Sequence, residues 1–267
     1  MTTSPILVTG GTGTLGRLVV PLLREADAPV RVLSRRAHEP AEGVDYVTGD
    51  LATGAGIDAA TDGVETIVHC AGGRTGDVGT TRNLVRAASP AGAPHLVYIS
   101  VVGAERVPVV SGVDRMMFGY FASKRAAERV VEDSGLPWTT LRATQFHDLM
   151  LMVARGMAKL PVMPVPAGSR FQPVDARDVA ARLVELALGA PAGLVPDIAG
   201  PRVYDAADLL RSYLRVSQLR RLILPVKLPG KAARAVRDGA NLAAGPGHSV
   251  GRRTWEDFLT ERLHNGN

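Results

Sequence analysis

Residues 9–16, with the sequence TGGTGTLG, constrain the fold of this chain more than any other stretch. They follow the apolar run 6–8, which is typical of a buried parallel strand, and they precede apolar residues at helical spacing. Glycines at such a turn let the chain turn tightly, let the backbone approach a pyrophosphate and let the helix pack on the sheet. The stretch therefore predicts a dinucleotide-binding turn, and the alternative is a glycine-rich loop without a ligand.

The spacing of these glycines fits two versions of the glycine motif that is typical of dinucleotide-binding turns. Gly10, Gly13 and Gly16 are three apart, and Gly11 lets residues 11–16 match the commoner version, whose first two glycines are two apart. The N–H groups at the start of the following helix favour the charge of a phosphate. We expect cofactor contacts from Gly10, Thr12, Gly13, Thr14, Leu15 and Gly16.

Composition narrows the class of protein. The net charge of +5 would suit nucleic acid, but the basic residues are spread among acids, so we expect no nucleic-acid partner. The single Cys70 excludes an internal disulfide, and the six histidines lack metal-ligand spacing, so we predict no metal. We expect no signal peptide, and the sequence contains no apolar run of about 18 residues. We expect a cytoplasmic protein with a small-molecule substrate and no membrane partner, either monomeric or dimeric.

Short apolar runs alternate with helical segments through the first half of the chain. This order predicts an α/β fold with a doubly wound parallel (Rossmann) sheet, in which ligands bind at the carboxyl ends of the strands. We predict strands at 6–8, 30–33, 44–47, 65–69, 95–100 and 137–141, and helices at 77–88 and 114–132. The candidate residues at strand ends are Gly10, Arg35, Asp50, Ala71 and Ser100.

The second predicted strand ends at Ser34, Arg35 and Arg36, where the adenosine ribose is expected. An NAD enzyme usually has an acid about 20 residues past the glycines to bond the 2′-hydroxyl. The first acid after this strand is Glu39, whereas the two arginines offer planar cations suited to a 2′-phosphate. We therefore predict NADP(H) as the cofactor, the alternative being a pair of solvated surface arginines.

Small or polar residues end the next two strands. Asp50, with Leu51 after it, is placed either to bond the adenine amino group or to cap the following turn. Cys70, Ala71 and Gly72 either let the cofactor lie against the backbone or only form a turn. We interpret Cys70 as a small buried residue, because nothing nearby in the sequence clearly activates it.

Tyr120 and Lys124 lie four residues apart in the predicted helix 114–132, so they share one face. A tyrosine in water has a pKa of about 10, and a neighbouring cation lowers it. Such a pair can move a proton to or from a carbonyl oxygen while a hydride moves at its carbon. The alternative is an ordinary amphipathic helix.

Together these motifs resemble the short-chain dehydrogenase/reductases, and within them the atypical NmrA-like NAD(P)-binding branch. The resemblance covers most of residues 1–190 and rests on 9–16, 33–36, 49–51, 98–100, 120–124, 141–146 and 174–180. It implies that Tyr120 is the catalytic acid, and that Lys124 binds the nicotinamide ribose and lowers the pKa of the tyrosine. It also implies that Ala143, Thr144, Gln145 and Phe146 lie beside the nicotinamide.

One departure from the family bears on activity. The catalytic serine of the family usually follows the fifth strand by a residue or two, where this chain has Val101 and Val102. Ser100 is the nearby hydroxyl and the candidate substitute. Some NmrA-like members bind NADP, catalyse nothing and act as redox sensors.

We therefore predict an NADPH-dependent oxidoreductase that reduces a carbonyl, enone or quinone of a small apolar substrate by hydride transfer, with Tyr120 as acid. The main alternative is a non-catalytic NADP-binding redox sensor of the NmrA-like type. A third is an epimerase or dehydratase that retains its nucleotide cofactor, which the mostly aliphatic C-terminal third does not favour.

We expect a single domain over 1–267, with a dinucleotide-binding core at 1–145 and a smaller substrate region at 146–267 that partly returns to the sheet. Residues 147–160 are apolar and rich in methionine, so they either pack in the core or cover the substrate pocket. We interpret residues 161–166 as a proline-punctuated connector. The glycines and prolines of 239–251 predict a mobile loop.

Overall fold

The computed structural model describes residues 4–39, 41–73, 77–245 and 247–264. The chain divides into two compact units, each assembled from separate segments. The first unit is Met1–Ser100, Ser123–Leu141 and Val179–Val195, and the second is Val101–Ala122, Arg142–Asp178 and Pro196–Asn267. The functional division at residue 145 stays a prediction.

Helices and strands alternate along most of the chain. In chain order they are β1 (Ile6–Thr9), α1 (Gly16–Glu25), β2 (Val30–Ser34), β3 (Val44–Thr48), α2 (Ile57–Thr61), β4 (Thr66–His69), α3 (Asp77–Ala88), β5 (His95–Val101), α4 (Gly112–Glu132), β6 (Trp138–Ala143), α5 (His147–Met157), β7 (Val162–Pro166), β8 (Arg170–Phe171), α6 (Ala176–Leu188), β9 (Gly193–Leu194), β10 (Ile198–Ala199), β11 (Tyr204–Asp205), α7 (Ala206–Val216), β12 (Leu222–Val226), α8 (Lys231–Arg237), β13 (Ser249–Val250) and α9 (Trp255–His264).

The first unit is built on a sheet with strand order β3-β2-β1-β4-β5-β6, and β9 pairs with β6. β1 pairs in parallel with both β2 and β4, β2 with β3, and β4 with β5. The order therefore reverses at β1, which places a ligand at the carboxyl end of that strand. The predicted doubly wound parallel α/β fold is confirmed.

Aliphatic side chains fill the first unit. β1 and β5 are buried along their whole length, as expected for strands covered on both faces. The core between the sheet and its helices includes Leu7, Ile67, Leu84, Leu96 and Val131. The predicted helix 77–88 is observed as α3, and the predicted helix 114–132 begins two residues earlier as α4.

The second unit contains two small sheets, in which β8 pairs with β11 and β7 pairs in parallel with β12. Its strands β10 and β13 belong to the large sheet, where β10 pairs in parallel with β13 and with Ala143 at the end of β6. The hydrophobic core of the second unit contains the large aromatic side chains of Trp255 and Phe258, together with Met163 and Tyr213. Within α5, Leu151 and Ala154 are buried and Met152 is exposed, so the methionine-rich stretch only partly serves packing.

The prediction that residues 161–166 form a connector was wrong, because Val162–Pro166 form β7. Prolines cannot donate to a ladder, but a two-stranded sheet leaves one side of each strand without a ladder, so Pro164 and Pro166 are tolerated. The start of the predicted mobile loop is held in place. Asn241 Nδ2 donates to the Arg170 carbonyl at 2.8 Å, and Arg106 Nη2 donates to the Leu242 carbonyl at 2.9 Å.

Two further findings concern the described part of the chain as a whole. None of its helices is long and apolar enough to cross a bilayer. It also brings no three His, Cys, Asp or Glu side chains together as ligands for a metal ion.

Candidate functional site

The glycine-rich turn packs so tightly that side chains are excluded at two of its positions. Gly10 has a φ of +69°, and a Cβ there would lie 2.7 Å from the Ala71 nitrogen. A Cβ on Gly16 would lie 2.2 Å from the Gly10 carbonyl oxygen. Gly13 N–H donates to that same oxygen at 2.9 Å, and α1 begins at Gly16. The turn therefore presents bare backbone at the N-terminus of α1, as a pyrophosphate site requires.

Gly16→Ala is expected to lower the free energy of unfolding by about 1–3 kcal/mol, because the added methyl overpacks the turn. NADPH affinity should also fall, because the added methyl pushes the backbone of the turn away from the position in which it would bind the pyrophosphate. Urea unfolding and calorimetric titration with NADPH measure the two effects. Gly79→Ala in α3 is the matched control, because a Cβ there meets nothing within 4 Å, and it should stabilise the helix by about 0.5–1 kcal/mol. Wild-type stability and affinity in Gly16→Ala would contradict the assignment.

A cavity of about 830 Å³ adjoins the turn, within the first unit. Of the predicted residues, Thr12, Ser34, Arg35 and Arg36 line it. Its volume and its cations suit the adenosine end of a dinucleotide, and no carboxylate lies among the described residues that line it. The residues present therefore fit an NADP(H) cofactor.

Three polar residues that line this cavity, Arg17, His38 and Tyr46, were not predicted from the sequence. Arg17 directly follows the last glycine of the turn and adds a third arginine. The rings of His38 and Tyr46 stack with centroids 4.7 Å apart, and His38 Nε2 lies 2.8 Å from Ser34 Oγ. Only the position of Arg17 beside the fingerprint was a usable signal, since the stacking of His38 and Tyr46 depends on the pairing of β2 with β3.

At the end of β3, Asp50 forms the capping contact that was one of its two predicted roles. Its Oδ1 accepts a hydrogen bond from Ala52 N–H at 2.9 Å, and its carbonyl accepts one from Gly54 N–H at 2.8 Å. Leu51 is buried and belongs to the hydrophobic core of the first unit. A contact of either residue with adenine stays a prediction.

Residues 70–72 lie against the glycine-rich turn. Cys70 N–H donates to the Thr9 carbonyl at 3.1 Å, and the Ala71 backbone is the group that a Cβ on Gly10 would meet. Desolvation raises the pKa of the Cys70 thiol to about 12, with the positive charge of Lys124 opposing it. The thiol is therefore neutral near pH 7. Cys70 is half-buried, so its interpretation as a small buried residue holds only in part.

Lys124 is buried in the first unit and paired with Asp77, a residue that the sequence analysis did not identify. Its Nζ lies 3.2 Å from Asp77 Oδ2, and it donates to Tyr98 Oη at 3.2 Å and to the Ile99 carbonyl at 3.1 Å. Burial lowers the pKa of Lys124, and the Asp77 carboxylate opposes that shift. Asp77 in turn accepts a hydrogen bond from Gly73 N–H at 2.9 Å. These contacts fix the position of the ammonium group.

His69 is buried close to this ion pair in the neutral form, because desolvation, assisted by Lys124, lowers its pKa to about 3. The Thr81 hydroxyl donates its proton to the Asp77 carbonyl at 2.7 Å. His69 Nε2–H must therefore donate to Thr81 Oγ1 at 3.2 Å, and Nδ1 accepts from the Thr9 hydroxyl at 2.6 Å. The imidazole thus links β1, β4 and α3 without adding charge beside Lys124.

Ser100 lies near the carboxyl end of β5 and is 4% exposed. Its Oγ has no hydrogen-bond partner among the described residues. Buried hydroxyls are normally satisfied, so an unsatisfied one at a strand end is a candidate ligand group. Val101 and Val102, where the family has its serine, are buried and apolar. The catalytic role of Ser100 stays a prediction.

Tyr120 lies in the part of α4 that belongs to the second unit, and its side chain is 38% exposed. Asp114 positions the first turn of this helix. Its carboxylate accepts hydrogen bonds from Ser111 N–H and Oγ–H at 3.0 and 2.8 Å, and from Ala232 N–H in α8 at 3.2 Å. Tyr120 and Lys124 both lie within α4, so their predicted spacing of one helical turn is present. Their catalytic roles stay predictions.

The four predicted nicotinamide-side residues also lie in the second unit, and two of them, Thr144 and Gln145, are polar and buried. Ala143, Thr144 and Gln145 are buried, and Phe146 is half-buried. Thr144 Oγ1 and Gln145 Oε1 lack a hydrogen-bond partner within the described ranges. Gln145 Nε2 donates a hydrogen bond to the Asn241 carbonyl at 3.5 Å. Asn241 was not predicted from the sequence. Because buried polar atoms normally have hydrogen-bond partners, these two acceptors fit a ligand-binding role. Their contact with nicotinamide stays a prediction.

Comparison with known proteins adds a family match. A family model described as NAD(P)H-binding matches residues 10–187, which is more than half of the chain. The chain is 32% identical over 216 residues to a (4-alkanoyl-5-oxo-2,5-dihydrofuran-3-yl)methyl phosphate reductase of Streptomyces griseus, covering 79% of this chain and 73% of the relative. It is 31% identical over 211 residues to an NAD(P)H azoreductase of Xenophilus azovorans, covering 76% and 71%.

The fold is also similar to solved structures. An NADPH-dependent quinone oxidoreductase from Escherichia coli, in complex with NADPH, superposes with a TM-score of 0.78 and 20% identity, over 98% of this chain and 100% of the other. The resemblance drawn from the motifs is thereby confirmed at the level of the nucleotide-binding family. By its glycine-rich turn, its sheet order and its match over residues 10–187, this chain belongs to the NAD(P)H-binding family.

Proposed function

We propose that this chain is an NADPH-dependent oxidoreductase that reduces a carbonyl, enone or quinone of a small apolar substrate by hydride transfer. The observation that carries the choice of cofactor is the cavity beside the glycine-rich turn, which three arginines line. Guanidinium groups bind phosphate through paired hydrogen bonds, so this lining favours the 2′-phosphate that distinguishes NADP from NAD.

The relatives support the oxidoreductase class. Two of the relatives are named as reductases, one of them using NAD(P)H, and one of the similar structures is an NADPH-dependent quinone oxidoreductase. Azo groups and quinones are both conjugated and electron-poor, so they accept a hydride readily. We infer that an enone or a quinone is the preferred acceptor among the candidate classes.

The proposed chemistry divides between the cofactor and the chain. When bound, NADPH supplies the hydride. The Tyr120 phenol then donates a proton to the substrate oxygen, which general acid catalysis by a positioned side chain can achieve. Lys124, whose place is fixed by Asp77 and Tyr98, contributes a buried positive charge that favours the phenolate of a nearby tyrosine.

Arg35→Ala is expected to weaken NADP binding about ten- to a hundredfold and to change NAD binding little, because a charge-assisted hydrogen bond contributes roughly 1.5–3 kcal/mol. Calorimetric titration of both nucleotides measures this. Arg82→Ala, an exposed arginine on α3, is the control and should alter neither affinity. Equal or tighter binding of NAD than of NADP by the wild type would overturn the preference.

A panel of ketones, aldehydes, enones and quinones tests the reaction class, with NADPH oxidation followed at the nicotinamide absorbance. We expect turnover with an apolar enone or quinone and slower turnover with simple ketones. If NADPH binds tightly, no acceptor is reduced and a partner protein co-purifies, the enzyme proposal fails and the redox-sensor alternative takes its place.

A further inference from the structure

Two segments of the second unit contain no acidic residue. Neither residues 149–174 nor residues 209–237 include an Asp or a Glu. Together they carry the basic residues Arg155, Lys159, Arg170, Arg211, Arg215, Arg220, Arg221, Lys227, Lys231, Arg234 and Arg237. The expectation that acids lie among the basic residues therefore does not hold for these two segments.

The structure joins these two segments through β7 and β12. Their register pairs Val162 with Leu222, Pro164 with Leu224, and Pro166 with Val226. Successive residues of a strand point to opposite faces, so these six residues share one face, which we call the β7–β12 face. All of them are apolar.

The opposite face of the same strands lies on the core except at Pro225, which is exposed. Met163 and Val165 are 0% and 2% exposed, and Ile223 packs against the same hydrophobic cluster. On the β7–β12 face, by contrast, Leu222 is 64% exposed and Leu224 is 51% exposed. The two-stranded sheet is thus apolar on both faces, although only one face is covered within the described structure. A contiguous exposed apolar face of this kind marks an interaction surface.

Exposed cations lie at the ends of both strands. Lys159 precedes β7, Arg220 and Arg221 precede β12, and Lys227 follows β12. Because the strands are parallel, the first three cations lie at the same end of the sheet. Arg221 Nε donates to the Ala158 carbonyl at 2.9 Å, which confirms that the two segments meet there. Neither Arg220 nor Lys227 has a carboxylate partner among the ion pairs of the described residues.

We propose that the β7–β12 face attaches this protein to the surface of an anionic lipid bilayer. Aliphatic side chains that enter the headgroup region leave water, while the cations at the strand ends meet lipid phosphates. The charge of the surface is complementary to that partner, because the two segments contain no acid. Arg211 and Arg234 pair with Asp208 and Asp238 just outside the segments, so the cations at the strand ends carry the attraction. The proposal concerns surface attachment and is independent of the proposed reaction. It revises the expectation that the protein has no membrane partner.

Other occupants fit this face less well. A second copy of the chain would bring its own cations against these cations, and like charges repel across an interface. Single-stranded nucleic acid stacks on aromatic side chains, and the β7–β12 face contains none. Each of these alternatives predicts a result in the vesicle experiment that differs from the result expected for lipid binding.

Co-sedimentation of the full chain with vesicles tests the proposal. The probes are vesicles of phosphatidylcholine alone and vesicles of equal parts phosphatidylcholine and phosphatidylglycerol. We expect binding to the anionic vesicles only, and we expect it to weaken as salt is raised, because surface charges are screened. Equal binding to both vesicles, or binding to neither, would overturn the proposal.

Variants localise the effect. Arg220→Gln combined with Lys227→Gln should lower partition onto anionic vesicles about thirtyfold, since each basic residue near such a surface contributes a similar attraction. Leu224→Gln should lower it about tenfold. The controls change exposed residues of the first unit, namely Arg82→Gln with Arg129→Gln, and Leu188→Gln, which is 53% exposed. Equal losses in variants and controls would overturn the assignment of this face.

Two further readouts separate the alternatives. If sedimentation shows a dimer that Leu224→Gln dissociates, and vesicles are not bound, the face is an interface between copies and the proposal fails. If single-stranded DNA binds and the Arg220→Gln, Lys227→Gln variant loses it while vesicles are not bound, the partner is nucleic acid. Unchanged NADPH affinity in every variant is the check that each has folded.

Discussion

Tyr120→Phe is expected to lower kcat for NADPH-dependent reduction by about 10²–10⁴-fold, because it removes the proton that general acid catalysis delivers. The ring remains, so the packing of Tyr120 against Phe121, with centroids 6.2 Å apart, should change little. NADPH affinity should also stay near that of the wild type. The measurement is steady-state turnover with an acceptor from the panel, together with calorimetric NADPH binding.

Tyr213→Phe is the matched control for this change, because it also removes a tyrosine hydroxyl, but from the core of the second unit. It should leave kcat unchanged. If Tyr120→Phe keeps near wild-type turnover, Tyr120 is not the acid, and the reaction must rely on an acceptor that needs little protonation, such as a quinone. A loss confined to ketones but absent with quinones would assign the phenol to carbonyl protonation alone.

Asp77→Ala is expected to destabilise the fold by about 3–5 kcal/mol, because it leaves the ammonium of Lys124 buried without its carboxylate. Both side chains are 4% exposed or less, so solvent screens this pair little. NADPH affinity should fall as well, since the position of Lys124 is lost. Urea unfolding measures the free energy, and calorimetry measures the affinity.

The exposed ion pair of Arg211 with Asp208 supplies the control. Asp208→Ala should cost about 1 kcal/mol or less, because exposed pairs contribute little. The double variant Asp77→Leu, Lys124→Met should recover much of the lost stability, since apolar replacement of a buried pair is often neutral. It should not recover NADPH binding. Full stability in Asp77→Ala would show that Lys124 does not depend on this carboxylate.

The architecture of the first unit was predictable because its signals are local. An apolar run such as 6–8, followed by glycines at fixed spacing, specifies a strand and a turn without reference to the rest of the chain. The pairing of Lys124 with Asp77 had no such signal. Forty-seven positions separate the two residues, and only the packing of α3 and α4 around the sheet brings them within 3.2 Å.

Two predictions for the second unit failed, one based on its prolines and one based on the net charge of the chain. Pro164 and Pro166 favour a connector in isolation, and their place in β7 depends on a partner strand at Leu222–Val226. The acid-free segments were visible in the sequence, but net charge for the whole chain conceals them. A count of acids along the chain would have found residues 209–237.

The first unit is assembled from segments that lie far apart in the chain, so it is completed late during synthesis. Its last segment, Val179–Val195, carries β9, which pairs with Thr139 and Thr140 of β6. A nascent chain therefore cannot complete this unit until the ribosome has synthesised residue 195, long after the glycine-rich turn has emerged. Until then the edge of β6 has free ladder groups, which is a hazard for aggregation. Expression of a truncated nucleotide-binding half should consequently be limited by solubility.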